Sequence, residues 1–154
     1  MNRIAARLIG GPLRLAAFAQ RSMTLGVRVA AFDEAGRLFL VRHTYLPGWY
    51  MPGGGVDPGE TVEDAAHREA REEGNLLLEA PLALHGVFYN RRQGRDHIVV
   101  YRCDGARQTA PREPDREIAE SGFFALDALP ESVTPATRRR LDEMAGRVTV
   151  TPDW

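Results

Sequence analysis

Lysine is absent from this sequence, and all 20 of its basic residues are arginine. Chemistry that needs a lysine amine, such as a Schiff base or the phosphate-binding lysine of a P-loop, is therefore excluded. Any side-chain cation that contacts a substrate has to be an arginine or a histidine.

Cysteine is almost as scarce, because Cys103 is the only one in the chain. A disulfide within the chain and a cysteine-rich metal site are both excluded, and we expect a protein of the reducing cytoplasm. No segment approaches the roughly 20 apolar residues that cross a bilayer, so we expect no membrane partner. The formal net charge of −1 provides no overall attraction to a nucleic acid polymer.

The composition is that of one globular domain, with 154 residues of which 44% are hydrophobic and 27% are charged. Residues 1–23 carry four arginines and no acidic residue, and we interpret them as a basic helical extension. This helix would pack on the domain or on a second subunit, which leaves a homodimer open; an export signal is the alternative. We place the domain at residues 24–146 and a tail at residues 147–154.

Strand-like and helix-like segments alternate along the domain. The predicted strands cover residues 24–32, 37–43, 82–90, 97–103 and 122–126, and the predicted helices cover residues 62–73 and 134–146. The first two strands are predicted to pair with each other, as are the next two, and residues 104–117 are predicted to form an exposed loop. This order favours an α+β fold with a mixed β-sheet sandwiched between α-helices.

The helix over residues 62–73 is rich in glutamate. At 100° per residue, Glu69, Glu72 and Glu73 lie within an arc of about 100°, so three carboxylates share one face. Glu69 meets like charges at both i+3 and i+4, which costs about 0.2–0.5 kcal/mol per pair. Ion pairs along the helix, such as Asp64 with Arg68, do not explain this face, and a bound cation would offset the repulsion.

A hard divalent cation suits these carboxylates, because Mg²⁺, or Mn²⁺ as the alternative, prefers oxygen ligands. Gly53, Gly54 and Gly55 lie just before the helix and have no Cβ. Their backbone amides and carbonyls can therefore approach the cation or phosphate oxygens closely. Loop and helix are predicted to form one site for a metal ion and a diphosphate.

The segment from Gly54 to Leu76 resembles the Nudix box of the Nudix hydrolase family, G-x5-E-x7-R-E-U-x-E-E-x-G-U, where U is aliphatic. The fixed positions in register are Gly54, Glu60, Arg68, Glu69, Glu72 and Glu73. Ala70 occupies the first aliphatic position, and Asn75 replaces the closing glycine. Asparagine is the next best residue for a left-handed helix end, so we expect the turn to survive.

The resemblance implies the Nudix fold and a role for each matching residue. Glu69, Glu72 and Glu73 would hold the metal together with the carbonyl of Gly54, and Arg68 would clamp toward Glu60. Glu69 could instead act as the general base. The family often adds an acidic ligand from a later loop, for which Glu117 and Glu120 are both candidates.

Residues just before the box are candidates for substrate binding. His43, Trp49 and Tyr50 could stack on a base, although core packing is the alternative for Trp49. Arg42 could hold a phosphate by a bidentate contact, with a solvent-exposed arginine as the alternative. The backbone of Gly53, Gly54 and Gly55 completes the predicted substrate contacts.

These features predict Mg²⁺-dependent hydrolysis of a pyrophosphate bond, by in-line attack of water on phosphorus. The expected partner is a small nucleotide-like molecule, either a nucleoside triphosphate or a nucleoside diphosphate linked to another moiety. The alternative is a nucleotide-binding or sensing domain that kept the fold without turnover. The sequence does not name the nucleotide.

Overall fold

Seven strands and two helices make up residues 22–154, the part of the chain that the computed structural model describes. In chain order they are β1 (Thr24–Ala31), β2 (Leu38–His43), α1 (Val62–Gly74), β3 (Leu76–Leu78), β4 (Ala83–Asn90), β5 (Asp96–Cys103), β6 (Ala106–Gln108), β7 (Ile118–Phe124) and α2 (Pro135–Met144). The predicted N-terminal helix falls on residues 1–23, and residues 1–21 lie outside the described residues.

The strands form a mixed arrangement, as predicted. β1 pairs in parallel with β5, and β4 pairs antiparallel with β5 on its other side. β2 pairs antiparallel with β7, and β3 pairs antiparallel with β6. The predicted β4–β5 hairpin is confirmed.

Two predictions about the strands were wrong. β1 and β2 do not form a hairpin ladder, since they share only one isolated bridge between Phe32 and Leu38 beside the turn at Asp33. β2 instead finds its partner in β7, which also begins earlier than predicted, at Ile118. The region 104–117 is not loop throughout, because β6 within it pairs with β3. Both errors concern pairings with distant segments, which local strand patterns do not specify.

The apolar residues form two clusters on either side of the strands. One cluster lies under α1 and includes Val27, Val29, Phe39, Val41 and the three buried alanines of that helix. The other lies on the α2 side and includes Leu38, Leu40, Trp49, Met51 and Leu141. β2 alternates between the two clusters, as a strand buried on both faces does. The α+β fold with strands between helices is therefore confirmed.

Both helices begin and end where the sequence predicts. At the start of α1, Thr61 Oγ1 accepts a hydrogen bond from Asp64 N (3.1 Å), and Thr61 N donates to Asp64 Oδ2 (3.3 Å), which forms the predicted capping box. α1 ends at Asn75, whose φ of 49° is left-handed, so asparagine does replace the usual glycine there. Thr134 caps α2, with Pro135 in its first turn.

The last residues of the chain pack onto the sheet. Tyr89 N in β4 donates to Pro152 O at 2.7 Å, and Trp154 N donates to Tyr89 O at 3.0 Å. Neither helix of the described residues is long and apolar enough to cross a membrane.

Candidate active site

α1 brings its carboxylates against the glycine loop, as predicted. Glu73 is almost fully buried, the side chain of Glu69 is 15% exposed, and that of Glu72 is 61% exposed. The three carboxylates therefore run from the interior to the surface along one face of the helix.

Gly53 is the point where the loop holds Glu73. Its N–H donates to Glu73 Oε2 at 2.8 Å. A Cβ at this position would lie 2.0 Å from the carbonyl oxygen of Val27, and φ is +143°, so glycine is required for the loop to pass this close to β1.

Gly54 makes a similar close approach to Glu69. A Cβ added at Gly54 would lie 2.5 Å from Glu69 Oε1 and 2.9 Å from Oε2. The space beside the Glu69 carboxylate therefore exists only because position 54 has no side chain.

Arg68 links the loop to the helix. Its Nη2 lies 2.7 Å from Glu60 Oε1, and its Nε lies 3.2 Å from Glu60 Oε2, a bidentate pair. The same guanidinium donates to Gly55 O at 2.9 Å and to Glu69 Oε1 at 2.7 Å. Hydrogen bonding to Arg68 lowers the pKa of Glu60, and the pairs with Glu60 and Glu69 raise the pKa of Arg68. The geometry is that of the clamp implied by the sequence.

The buried end of the site resists negative charge when no cation is bound. Burial raises the pKa of Glu73 to about 7, although the positive charge of Arg28 and the hydrogen bond from Gly53 N–H act in the opposite direction. Burial also raises the pKa of Glu69, against the influence of Arg68. A carboxylate with a raised pKa in a cleft is a common mark of a functional site.

His43, at the end of β2, lies beside the buried carboxylate of Glu73, whereas the sequence suggested it only as a residue on which a base could stack. Its Nε2 lies 3.4 Å from Glu73 Oε1, and ligand atoms of His43, Glu73 and Glu117 all lie within 4.8 Å of one another. Burial, followed by the charge of Arg28, lowers the pKa of His43.

Glu117 and Glu120 have different neighbours in the structure. Glu117 joins His43 and Glu73, whereas Glu120 Oε2 accepts from Arg42 Nη2 at 3.0 Å on the surface. Of the two acids that the sequence left open, Glu117 is the one beside the buried carboxylate.

Arg42 and Trp49 lie elsewhere than their predicted roles require. Trp49 is 7% exposed and packs edge-on against Phe124, with ring centroids 4.9 Å apart. The guanidinium of Arg42 lies 5.8 Å from the Trp49 ring centroid. Trp49 belongs to the cluster on the α2 side, so Arg42 lies on the opposite face of β2 from His43. Arg42 and Trp49 therefore lie on the α2 side of β2, away from the glutamate site.

Tyr50 and Arg28 lie on the same side of the sheet as His43. The Tyr50 ring meets His43 edge-on at 5.6 Å, and the Arg28 guanidinium lies 5.7 Å from the Tyr50 ring centroid. Arg28 Nη1 donates to Met51 O at 3.0 Å. Sequence reasoning missed Arg28, although a lone arginine in an otherwise apolar strand was an available signal.

The residues of the site fit a divalent cation. Oxygen donors converge from α1 and from Glu117, and position 54 leaves space beside Glu69 that a Cβ would fill. Within the described residues, Glu73 receives its hydrogen bond from Gly53 N–H alone and faces His43, so a nearby cation would offset the cost of burying its charge.

Known proteins resemble this chain in both sequence and fold. The model of the NUDIX domain matches residues 23–144. A Bacillus subtilis protein named "Putative 8-oxo-dGTP diphosphatase" is 31% identical over 123 residues, which is 78% of each chain. An RNA pyrophosphohydrolase of Gluconobacter oxydans is 51% identical over 49 residues, covering 30% of this chain and 29% of that protein.

Among solved structures, a MutT NUDIX hydrolase from Burkholderia pseudomallei is 33% identical with a TM-score of 0.65. The match covers 79% of this chain and 97% of that one. The match to the NUDIX domain model extends over the strands, the glycine loop and both helices described above.

Proposed function

This chain belongs to the Nudix hydrolase family, whose members cleave pyrophosphate bonds, and we propose that it hydrolyses a nucleoside triphosphate in the presence of Mg²⁺. A nucleoside diphosphate linked to another moiety is the second substrate class. The observation that carries the proposal is the row of Glu69, Glu72 and Glu73 along one face of α1, with Glu73 held by Gly53 N–H.

Each residue of the site would have its own role in hydrolysis. Glu69, Glu72, Glu73 and Glu117 would hold the cation together with the carbonyl of Gly54. A bound Mg²⁺ lowers the pKa of water and offsets the negative charge of the diphosphate. The Arg68–Glu60 pair fixes the orientation of Glu69, because Arg68 Nη1 donates to Glu69 Oε1.

Glu69 is also our candidate for the base that accepts the proton of the attacking water. Oε1 is engaged by Arg68, and within residues 22–154 no hydrogen bond is made to Oε2. Arg28 and the ring of Tyr50 lie on the same side of the sheet as the carboxylates, and we assign them to the phosphate and the base of the substrate.

The similarities support this choice of substrate class. The B. subtilis relative, similar over most of the chain, is named for a deoxynucleoside triphosphate, and the Gluconobacter relative, similar over a shorter segment, is named for RNA. Both names describe a pyrophosphate bond next to a nucleoside. We rank a free nucleoside triphosphate first because the longer match supports it.

A substrate panel tests this proposal. Purified protein with Mg²⁺ is offered deoxynucleoside triphosphates, 8-oxo-dGTP, ADP-ribose and RNA with a 5′-triphosphate, and the products are separated by chromatography. We expect release of a nucleoside monophosphate with pyrophosphate, or of phosphate, from at least one of them. Hydrolysis in ¹⁸O-water identifies the phosphorus atom that is attacked.

Two variants and one control make the test specific. Glu72→Gln and Glu73→Gln are expected to abolish turnover, whereas Glu63→Gln, an exposed acid in the first turn of α1, should retain it. If no substrate turned over while one nucleotide raised the melting temperature, the protein would be a nucleotide-sensing domain instead.

The cellular location and the oligomeric state of the protein are also proposals. We propose a cytoplasmic protein, supported by its single cysteine, Cys103, which is buried and free. We also propose a homodimer through residues 1–23; light scattering of the full chain at several concentrations tests this.

A further inference from the structure

We propose that His43 supplies a nitrogen ligand to a metal ion held by Glu73 and Glu117, so that this site favours a divalent transition metal over Mg²⁺. The inference rests on the proposed function, because it concerns the same site. It differs from the sequence-based expectation, in which every ligand is an oxygen.

The three side chains are already close enough to share an ion. Their ligand atoms lie within 4.8 Å of one another. Ligands about 2.1 Å from an ion lie about 3 Å apart when adjacent and about 4.2 Å apart when opposite. A pair of ligand atoms 4.8 Å apart would have to approach by about 0.6 Å to lie opposite each other on the ion, and by about 1.8 Å to lie adjacent.

The imidazole of His43 is buried without a hydrogen bond. Its side chain is 4% exposed, and neither Nδ1 nor Nε2 has a hydrogen-bond partner among residues 22–154. Leaving a buried polar atom without a partner costs about 1–3 kcal/mol. An apolar residue would pack here without that cost, so the nitrogen at this position requires an explanation.

The backbone brings His43 and Glu117 together. The pairing of β2 with β7 shifts register between Arg42, opposite Glu120, and His43, opposite Ile118. Such a bulge re-aims side chains and is common next to active sites. Thr44 N then donates to Glu117 O at 2.9 Å, which holds Glu117 beside the end of β2.

The donor set determines which metal is preferred. Imidazole suits Zn²⁺, Fe²⁺ and related ions, while Mg²⁺ keeps oxygen ligands and waters. One nitrogen with two carboxylates should therefore favour transition metals more strongly than an all-oxygen site of the same charge.

Pulsed electron paramagnetic resonance of Mn²⁺ bound to the full chain tests the nitrogen ligand directly. We expect the ¹⁴N modulation of a coordinated imidazole, and we expect that modulation to vanish when the protein is grown with ¹⁵N-histidine. This labelling leaves the fold unchanged. Absence of ¹⁴N modulation in the unlabelled protein, with Mn²⁺ bound, would overturn the proposal.

Variants then assign the signal to one residue. His43→Gln should remove the modulation and weaken Mn²⁺ binding by about 10-fold or more, while Mg²⁺ affinity changes much less. The matched control is His97→Gln, since His97 is half-buried, also has an Nδ1 without a partner, and is not in the cluster. Modulation that survives in His43→Gln would equally contradict the proposal.

These measurements are independent of turnover. If Mn²⁺ binds through His43 but the substrate panel fails, the proposed hydrolysis is wrong and the metal site stands. If turnover is observed with an all-oxygen Mn²⁺ signal, the hydrolysis stands and the role of His43 is wrong.

Discussion

At the scale of single residues, the site requires positions without a Cβ as well as charged side chains. Gly53 and Gly54 allow the loop to touch β1 and Glu69, respectively, at distances where no Cβ would fit. Gly55, the next residue, has open space around its Cβ position and a backbone that other residues adopt. The loop therefore requires glycine at positions 53 and 54 but not at position 55, although the three residues are identical in the sequence.

Gly54→Ala tests this difference. The new methyl group would lie 2.5 Å from Glu69 Oε1, so the carboxylate has to move away from its position next to Arg68. We expect kcat to fall by about 10- to 100-fold, because small displacements of catalytic groups have effects of this size. Gly55→Ala is the control and should retain its activity; equal activity of both variants would show that the contact at position 54 does not matter.

Glu73→Gln separates stability from activity. The pKa of Glu73 in the folded protein, about 7, is above its ordinary value of 4.5, so the folded state binds this proton more tightly than the unfolded state. The protonated Glu73 side chain therefore makes its full contribution to the stability of the folded state below pH 4.5. This contribution is lost as the pH rises to about 7. Glutamine removes this loss and can still accept from Gly53 N–H.

The expected result is a metal-free variant that is more stable than the parent protein at pH 8, by about 1–3 kcal/mol, with a smaller difference at pH 5. Urea unfolding in the presence of a chelator measures both values. Glu72→Gln, whose carboxylate is largely exposed, should show no such gain. A destabilised Glu73→Gln protein at pH 8 would contradict the assigned burial cost.

At the scale of elements, the end of α1 departs from the family's motif. Asn75 adopts φ 49° and ψ 35°, and its Nδ2 donates to Pro111 O at 3.2 Å. The side chain thus ties the helix end to the segment before β7. A glycine would adopt the same backbone without making this contact.

Asn75→Ala should destabilise the protein by about 1–2 kcal/mol, because alanine resists the left-handed conformation. Asn75→Gly keeps the conformation and loses only the side-chain hydrogen bonds to Ala110 O and Pro111 O, so its cost should stay below about 1 kcal/mol. Thermal unfolding of both variants gives the comparison. Equal losses would mean that the side-chain contact, and not the backbone, stabilises this turn.

At the scale of the whole molecule, a buried charge joins α2, β4 and the last residues of the chain. Arg140 is fully buried, and its guanidinium lies 3.8 Å from the ring centroid of Phe88. Its Nη2 lies 2.7 Å from Glu143 Oε1, and its Nη1 donates to Asp153 O at 3.1 Å. Residues 147–154, which the sequence analysis placed in a tail, therefore contact the core through the backbone of Asp153.

Arg140→Ala should cost about 3–5 kcal/mol, because it leaves the buried carboxylate of Glu143 without its closest arginine partner. The neighbouring Arg139, which is 45% exposed and also contacts Glu143, is the matched control, and Arg139→Ala should cost less than about 1 kcal/mol. Urea unfolding measures both. Similar losses in the two variants would show that burial of the Arg140–Glu143 pair is not what stabilises this end.

The sequence by itself determined the helix that carries the site, because its signals are local. Thr61 with Asp64, the glycine run and the spacing of Glu69, Glu72 and Glu73 all lie within one short segment, and each acts through neighbours in the chain. The fold class followed from the order of such segments.

Tertiary structure decided what depends on residues distant in the chain. Strand pairing and its bulge determine the partners of β1 and β2. They also place Glu117, and not Glu120, beside Glu73, and they place Arg42 on the other face of β2. The same pairing placed His43 beside Glu73 and put Arg28 within range of both. Local patterns carry no information on these contacts, because strand register is set by packing and by the far partner strand.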